Sequence, residues 1–316
     1  MPARPRPRAA PRSVVLLDRA LERLPLFRLS DSAADEGALQ YSPAPGARWR
    51  VLPAPGDRLP GTFDQDVYVG LLHRWTEAGR PADGAVTFTL HALLRALGRK
   101  ADGRTYMQLR HALTRLERTT LESAGAYAGP AEGVSAARFT LLSSVVIERR
   151  RADGRGPAAE QLALFPELAS NEPGDARVVL APPLRANLLA GRVATLEWAC
   201  YQRLGSPVAR RLYRLLAALD GVAASAEDGG WEDAGAGRRW RAPLERWAER
   251  LPLTQRYPSH LQRVLAPAHD MLAAAGIIHS AAFVQDGKVW WVSYDLPRTP
   301  AGGAPSGTVP AGAAPA

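Results

Sequence analysis

The order helix, short strand, helix, helix, β-hairpin is met twice along this chain of 316 residues, and the formal net charge is +9. Together these features predict an α+β protein of two tandem winged-helix domains (helix-turn-helix units, each with a hairpin wing) between flexible termini. The length suits about two domains at ~150 residues each. Residues 1–20 are expected to be a flexible basic arm, with Arg4, Arg6, Arg8 and Arg12 among prolines, and 298–316 a flexible tail rich in Pro, Gly and Ala. The N-terminal winged-helix domain is placed at 21–192, with a lead-in segment and an inserted loop at 151–174. The C-terminal one is placed at 193–297.

Local signals justify the first set of elements. Thr62 stands three residues before Gln65, a capping box just after Pro60-Gly61, and Val67, Leu71, Leu72 and Trp75 continue at helical spacing. Ala85–Phe88 is a short β-type run. Thr89 caps a helix over His91–Leu97 that stops at Gly98. Thr105–Arg118 sets Tyr106, Leu109, Leu113 and Leu116 on one face. Strands are expected near Thr119–Ser123 and over Ala137–Arg149, where Phe139, Leu141, Val145 and Ile147 keep period two.

The second set repeats the first. Ser206-Pro207 opens a helix over Val208–Leu219, since Pro suits the first helical position. Gly221–Gly237, with Glu227, Asp228, Glu232 and Asp233, reads as an exposed acidic loop. Arg239–Arg241 is a short strand and Pro243–Leu251 a helix carrying Leu244, Trp247 and Leu251. Pro258–Ala275 is a helix with Leu261, Val264, Leu265, Ala268 and Leu272 inward, kinked at Pro267 and ended by Gly276. Ile277–Val284 and Val289–Tyr294 alternate and are joined through Asp286-Gly287, a strong hairpin signal.

Several function classes are disfavoured. The longest apolar candidate, Met271–Val284, is interrupted by Gly276, His279 and Ser280, short of the ~18 residues a membrane span needs. Val14–Leu17 is too short for a secretory h-region, and Asp18 follows it. One cysteine, Cys200, precludes an internal disulfide and fits a reducing cytoplasm; between Trp198 and Tyr201 it is expected in the core. The six histidines include no pair at metal spacing, so neither a metal nor any other cofactor is expected. No Gly-x-x-x-x-Gly-Lys-Ser/Thr loop occurs, which speaks against ATP hydrolysis. Asp64 and Asp66, in the first turn of a helix, are expected to complement its dipole. A nicking-rejoining enzyme acting through Tyr294 or Tyr257 would lack metal ligands, so the chain is expected not to be an enzyme. Lys100 and Lys288 are the only lysines among 40 basic residues. Guanidinium forks suit phosphate and guanine, and the basic balance points to a polyanionic partner.

Certain blocks are familiar: Arg23-Leu24-Pro25-Leu26-Phe27, Arg48-Trp49-Arg50-Val51, Phe63-Asp64-Gln65-Asp66-Val67, Ala209-Arg210-Arg211-Leu212-Tyr213-Arg214-Leu215-Leu216 and Leu265-Ala266-Pro267-Ala268. From Leu21 to Tyr294 the chain resembles the replication initiator protein A family of bacterial plasmids. The resemblance implies a sequence-specific DNA-binding initiator of plasmid replication. Such a protein binds origin repeats (iterons), opens nearby AT-rich DNA and recruits host replication proteins, including helicase loaders. It also implies a cytoplasmic, plasmid- or nucleoid-associated protein existing as dimers and monomers. The alternative is a winged-helix transcriptional repressor with no replication role.

The residues expected to meet DNA follow from the apolar stripes. Pro258–Ala275 leaves Ser259, Gln262, Arg263 and His269 off its apolar face, suited to the major groove, where Arg forks onto guanine and Gln onto adenine. Arg256 before that helix and Lys288 at the wing tip suit phosphates or the minor groove. Arg210, Arg211 and Arg214, within one turn, read either as a phosphate face or as a merely solvated one. Thr105–Arg118 leaves Gln108, His111, Arg115 and Arg118 outward, with Arg104 just before; this surface reads bases, touches backbone, or faces a second copy in a homodimer. Within 151–174, Gln161-Leu162-Ala163-Leu164-Phe165 resembles the peptide by which bacterial proteins dock on the polymerase sliding clamp. The other reading is that Leu162, Leu164 and Phe165 pack back on the first domain.

Overall fold

The computed structural model describes residues 13–29, 37–129, 136–147, 175–220, 229–233, 237–255 and 257–297. Within the expected basic arm, Val14–Asp18 forms strand β1, burying Val15 and Leu17. The Asp18 carboxylate then caps the short helix α1 (Arg19–Glu22), accepting the N–H groups of Ala20 and Leu21. Part of the expected arm is thus regular secondary structure. Strands β2 (Leu39–Tyr41) and β3 (Arg48–Leu52) follow. Helix α2 (Thr62–Glu77) is capped one residue earlier than the capping-box spacing suggested: the Gly61 N–H donates to Asp64 Oδ2 at 2.7 Å.

Strand β4 (Ala85–Thr89) runs straight into α3 (Leu90–Ala96), where Thr89 Oγ1 accepts the Ala92 N–H as expected of a cap. Helix α4 (Gly103–Arg118) comes next, then β5 (Thr120–Ala124). The stretch 137–149, expected as one strand, is two. Strand β6 (Ala136–Phe139) pairs with β5, whereas β7 (Leu142–Ile147) joins another sheet with β8 (Asp175–Leu180). At the break Thr140 Oγ1 donates to Leu142 O at 2.6 Å. The first wing is therefore β7–β8, in a sheet ordered β4-β8-β7, while β5 completes the sheet β2-β3-β5-β6. Residues 148–174, which join the wing strands, lie outside the described residues.

Helix α5 (Pro182–Leu189), strand β9 (Val193–Glu197) and helix α6 (Trp198–Arg203) end the first unit. Strand β9 pairs antiparallel with β1, Leu196 opposite Val15. Ala194, Leu196, Trp198 and Tyr201 share one core with Trp49, Val67, Trp75 and Leu113, so the expected boundary at 192/193 cuts through that core.

The second unit opens with α7 (Pro207–Ala218), capped by Ser206, whose Oγ accepts the Ala209 N–H. In the expected acidic loop, 221–228 is outside the described residues, but β10 (Gly230–Asp233) is a strand. Its Trp231 meets Trp240 edge-on and donates from the indole to Leu219 O at 3.0 Å. Then come β11 (Gly237–Pro243), α8 (Leu244–Arg250), α9 (Pro258–Ala274), β12 (Ser280–Asp286) and β13 (Val289–Pro297). Helix α9 is continuous past Pro267. Asp286 pairs with Val289, so the hairpin turn is Gly287-Lys288, with Gly287 at φ 58°, a value glycine adopts without strain. The sheet is ordered β10-β11-β13-β12 over a second core that includes Leu212, Trp240, Trp247, Leu265, Leu272 and Tyr294.

With β5 and β6 set aside as an insertion, the orders α2-β4-α3-α4-β7-β8 and α7-β11-α8-α9-β12-β13 coincide, and the last wing strand lies in the middle each time, β8 between β4 and β7 and β13 between β11 and β12. Two winged-helix units are present, as expected. Among the described residues no helix is long and apolar enough to cross a membrane.

Candidate nucleic-acid interface

The third helix of each unit shows one polar face to solvent. Helix α4 starts at Asp102, whose Oδ1 accepts from the Thr105 N–H at 2.9 Å and from its hydroxyl at 2.8 Å. These bonds hold the Asp102 carboxyl below the usual carboxylate range. Tyr106, Leu109, Leu113 and Leu116 are buried, leaving Arg104, Gln108, His111 and Arg118 exposed, with Lys100 exposed in the preceding turn. Arg115 is not part of this face. It is 7% exposed and forks onto Asp64, Nη2 to Oδ1 at 2.7 Å and Nε to Oδ2 at 3.1 Å. The structure thus corrects two readings, since Asp64 also caps α2 and serves as an internal counter-ion rather than only complementing a dipole.

On α9, Leu261, Leu265, Ala268 and Leu272 face the core, while Ser259 and Arg263 are exposed. Gln262 is half-buried, with a covered amide nitrogen that hydrogen-bonds nothing among the described residues. Lys288 is exposed at the turn of the β12–β13 wing. Arg256 lies outside the described residues, as do Gln161, Leu162, Leu164 and Phe165.

His269 is a correction: it is 6% exposed, its Nε2 is 2.9 Å from the Tyr294 hydroxyl, and its ring packs on Phe283. Burial pushes its pKa down to about 4. The Tyr294 hydroxyl accepts from the Trp247 indole at 2.9 Å, which leaves its proton for a neutral imidazole. One core position thus joins three polar rings.

Arg210, Arg211 and Arg214 do not form an exposed phosphate face. Arg211 and Arg214 are 1% and 0% exposed. Arg211 donates to the carbonyls of Glu22, Leu24 and Arg250, and both guanidiniums approach Glu22 Oε2, at 3.3 and 2.8 Å. Arg214 also stacks over Phe27 and Tyr68, at 5.2 and 5.7 Å to the ring centroids. Arg210 is half-buried and paired with Asp66. Asp66 also accepts from Arg99 Nη2 at 2.9 Å and from the Tyr201 hydroxyl at 3.1 Å, so it too is an internal counter-ion. A sequence signal for this burial exists: Arg211 stands four residues before Leu215 and three after Val208, on the apolar stripe of α7.

One exposed side chain, weighed from the sequence only as a nicking tyrosine, was left out of the residues expected to meet DNA. Tyr257, just before α9, is 70% exposed, its ring held edge-on to His260 at 5.7 Å. The sign of it was an aromatic immediately ahead of a Pro-opened helix and outside the apolar stripe.

These geometries agree with known proteins at the level of the fold. Domains 2–3 of RctB match with a TM-score of 0.54 at 12% identity, over 88% of this chain and 96% of that one. A selenomethionine derivative of domains 2 and 3 of RctB matches with 0.54 at 11%, over 87% and 95%. The Pi initiator protein in complex with iteron DNA matches with 0.48 at 11%, over 91% and 99%. No curated protein matches the chain. The family model described as Replication initiator protein A matches residues 17–232, from β1 through the first unit and α7 into β10. A match over more than half of the length takes in both the aspartates of α2 and the arginines of α7 that bind the two units together, and the chain belongs to the replication initiator protein A family.

Proposed function

We propose that this initiator binds repeated duplex sequences (iterons) at a plasmid or replicon origin, without cutting them, and opens the adjacent DNA for host replication proteins. The observation that carries the proposal is the matched placement of α4 and α9. Each is the third helix of a winged-helix unit, and each buries its apolar stripe while a polar face meets solvent. In the second unit Ser259 and Arg263, at the N-terminal end of α9, enter the major groove, and Lys288 rides the backbone beside it. In the first unit Arg104, Gln108, His111 and Arg118 contact a neighbouring part of the site. Part of that surface serves a homodimer in the form that represses.

The peptide Gln161-Leu162-Ala163-Leu164-Phe165 belongs to this proposal as a docking sequence for the sliding clamp, and helicase-loading proteins as further partners. Replacing Leu164 and Phe165 together by alanine is expected to abolish clamp capture in a pull-down; unchanged capture refutes the docking role.

The test of the whole proposal is replication. The gene with its adjacent repeats is expected to maintain a vector that lacks its own origin, and an Arg263→Ala gene is expected to fail. Operator binding without vector maintenance would instead identify a transcriptional repressor.

A further inference from the structure

Between the two units lies a cavity of about 440 Å³ that the proposed DNA faces do not use. Its lining includes Thr62, Asp66 and Arg99 from the first unit and Pro207 and Arg210 from the second. Two guanidiniums converge there on a single carboxylate oxygen, Asp66 Oδ2, which leaves one positive charge in excess. Neither arginine is used up. Arg99, 44% exposed in its side chain, donates from Nη2 alone among the described hydrogen bonds, and Arg210 from Nε to Leu204 O and from Nη1 to Asp66. The Thr62 hydroxyl makes no hydrogen bond among the described residues. Stacking fixes both forks, Arg99 over Phe63 at 5.7 Å and Arg210 over Tyr201 at 5.3 Å.

The backbone adds to the same field. Thr62 and Pro207 are the first residues of α2 and α7, helices of 16 and 12 residues, so two positive helix ends face one cleft. The site is rich in donors and poor in acceptors, a combination suited to a ligand with several anionic oxygens.

We propose that this cleft binds a phosphate group, held by the free fork of Arg99, Arg210 Nη2 and the Thr62 hydroxyl, with Asp66 as the resident competitor. Because its walls come from both units, a bound phosphate ties their relative orientation. The proposal goes beyond the reading of α4 and α9 and does not depend on it. The phosphate comes either from the backbone of duplex DNA or from a free phosphorylated compound.

The test is calorimetric titration of the full chain with inorganic pyrophosphate, without DNA, on the natural protein, on Arg99→Gln and on Arg177→Gln. Arg99→Gln leaves the Arg210–Asp66 pair in place, and Arg177 is an exposed arginine elsewhere, on β8. Saturable binding is expected, weakened at least tenfold by Arg99→Gln and unchanged by Arg177→Gln. Absence of binding, or equal affinity in all three proteins, overturns the proposal. Repeating the titration with duplex DNA present separates the sources. Competition identifies a backbone phosphate, and joint binding identifies a free phosphorylated compound. Failure of Arg263→Ala to affect DNA binding would leave the pyrophosphate result standing.

Discussion

The Arg214 guanidinium donates from Nε to Glu22 Oε2 at 2.9 Å, across 192 positions of chain, with neither side chain exposed. Glu22 ends α1 of the first unit and Arg214 lies in α7 of the second, so this contact is a bolt between them. Arg211 shares the same carboxylate, and burial pushes its pKa down to about 9, a measure of how little water reaches the joint. Two buried cations on one anion contribute little net stability, but they penalise any other packing of the two units.

Glu22→Gln is therefore expected to be costly. It leaves both guanidiniums buried without a counter-ion, a loss of about 3–5 kcal/mol in urea denaturation. Glu122→Gln, at the carboxylate paired with the half-exposed Arg50 and the exposed Arg138 on the β3-β5-β6 face, is expected to cost about 0–1 kcal/mol. Equal losses would show that the bolt is no stronger than a surface pair.

Two buried groups give stability opposite slopes with pH. His269 titrates at about 4 when folded against an ordinary 6.5, so on acidification the unfolded chain takes up its proton first and stability falls. Asp18 titrates at about 6 when folded against 3.8, raised by burial, so the folded chain is protonated first and stability rises. Between pH 7 and pH 5 the histidine removes about 2 kcal/mol and the aspartate returns about 1 kcal/mol. In denaturation at the two pH values, Asp18→Asn is expected to steepen the acid loss and His269→Phe to turn it into a gain of about 1 kcal/mol. The same slope in all three proteins would refute both assignments.

Arg263→Ala is expected to weaken binding to origin repeats by about 1–3 kcal/mol while leaving scrambled duplex nearly unaffected. Gel-shift titrations on the two DNAs decide this, and an equal loss on both would reduce Arg263 to a phosphate contact.

Lys288→Ala should act differently. An exposed wing-tip ammonium neutralising one phosphate predicts a uniform loss across sequences and a salt slope shallower by about 1. An unchanged slope would place the wing off the DNA.

What was legible in the sequence follows from the range of the interactions. Helices α4 and α9 are visible because a stripe such as Leu261, Leu265, Ala268 and Leu272 repeats locally, and in α9 it stops at Gly276. The β12–β13 hairpin is visible because its turn residues lie between its strands. Strand β1 was hidden because its partner β9 lies far along the chain, and no local pattern announces such a pairing. The break between β6 and β7 was hidden because alternation passes through Thr140 and Leu141 unchanged. Only the partners differ, β5 on one side and β8 on the other. At the site, the outward positions of α4 and α9 were mostly legible. The arginines of α7 were not, since an Arg on an apolar stripe looks solvated until the buried carboxylate opposite it is known.

The pairing of β1 with β9 bears on any attempt to take this molecule apart. A fragment spanning 21–192 loses both strands, including the Leu16 N–H that donates to Thr76 Oγ1 of α2, and with them Val15, Leu17, Ala194 and Leu196 of the shared core. A fragment starting at 206 keeps Arg211 and Arg214 but not the acid that neutralises them. Neither piece is a self-sufficient module. The chain is better pictured as an interlocked pair that melts in one cooperative step than as beads on a string, and limited digestion should release aggregating halves rather than two soluble domains.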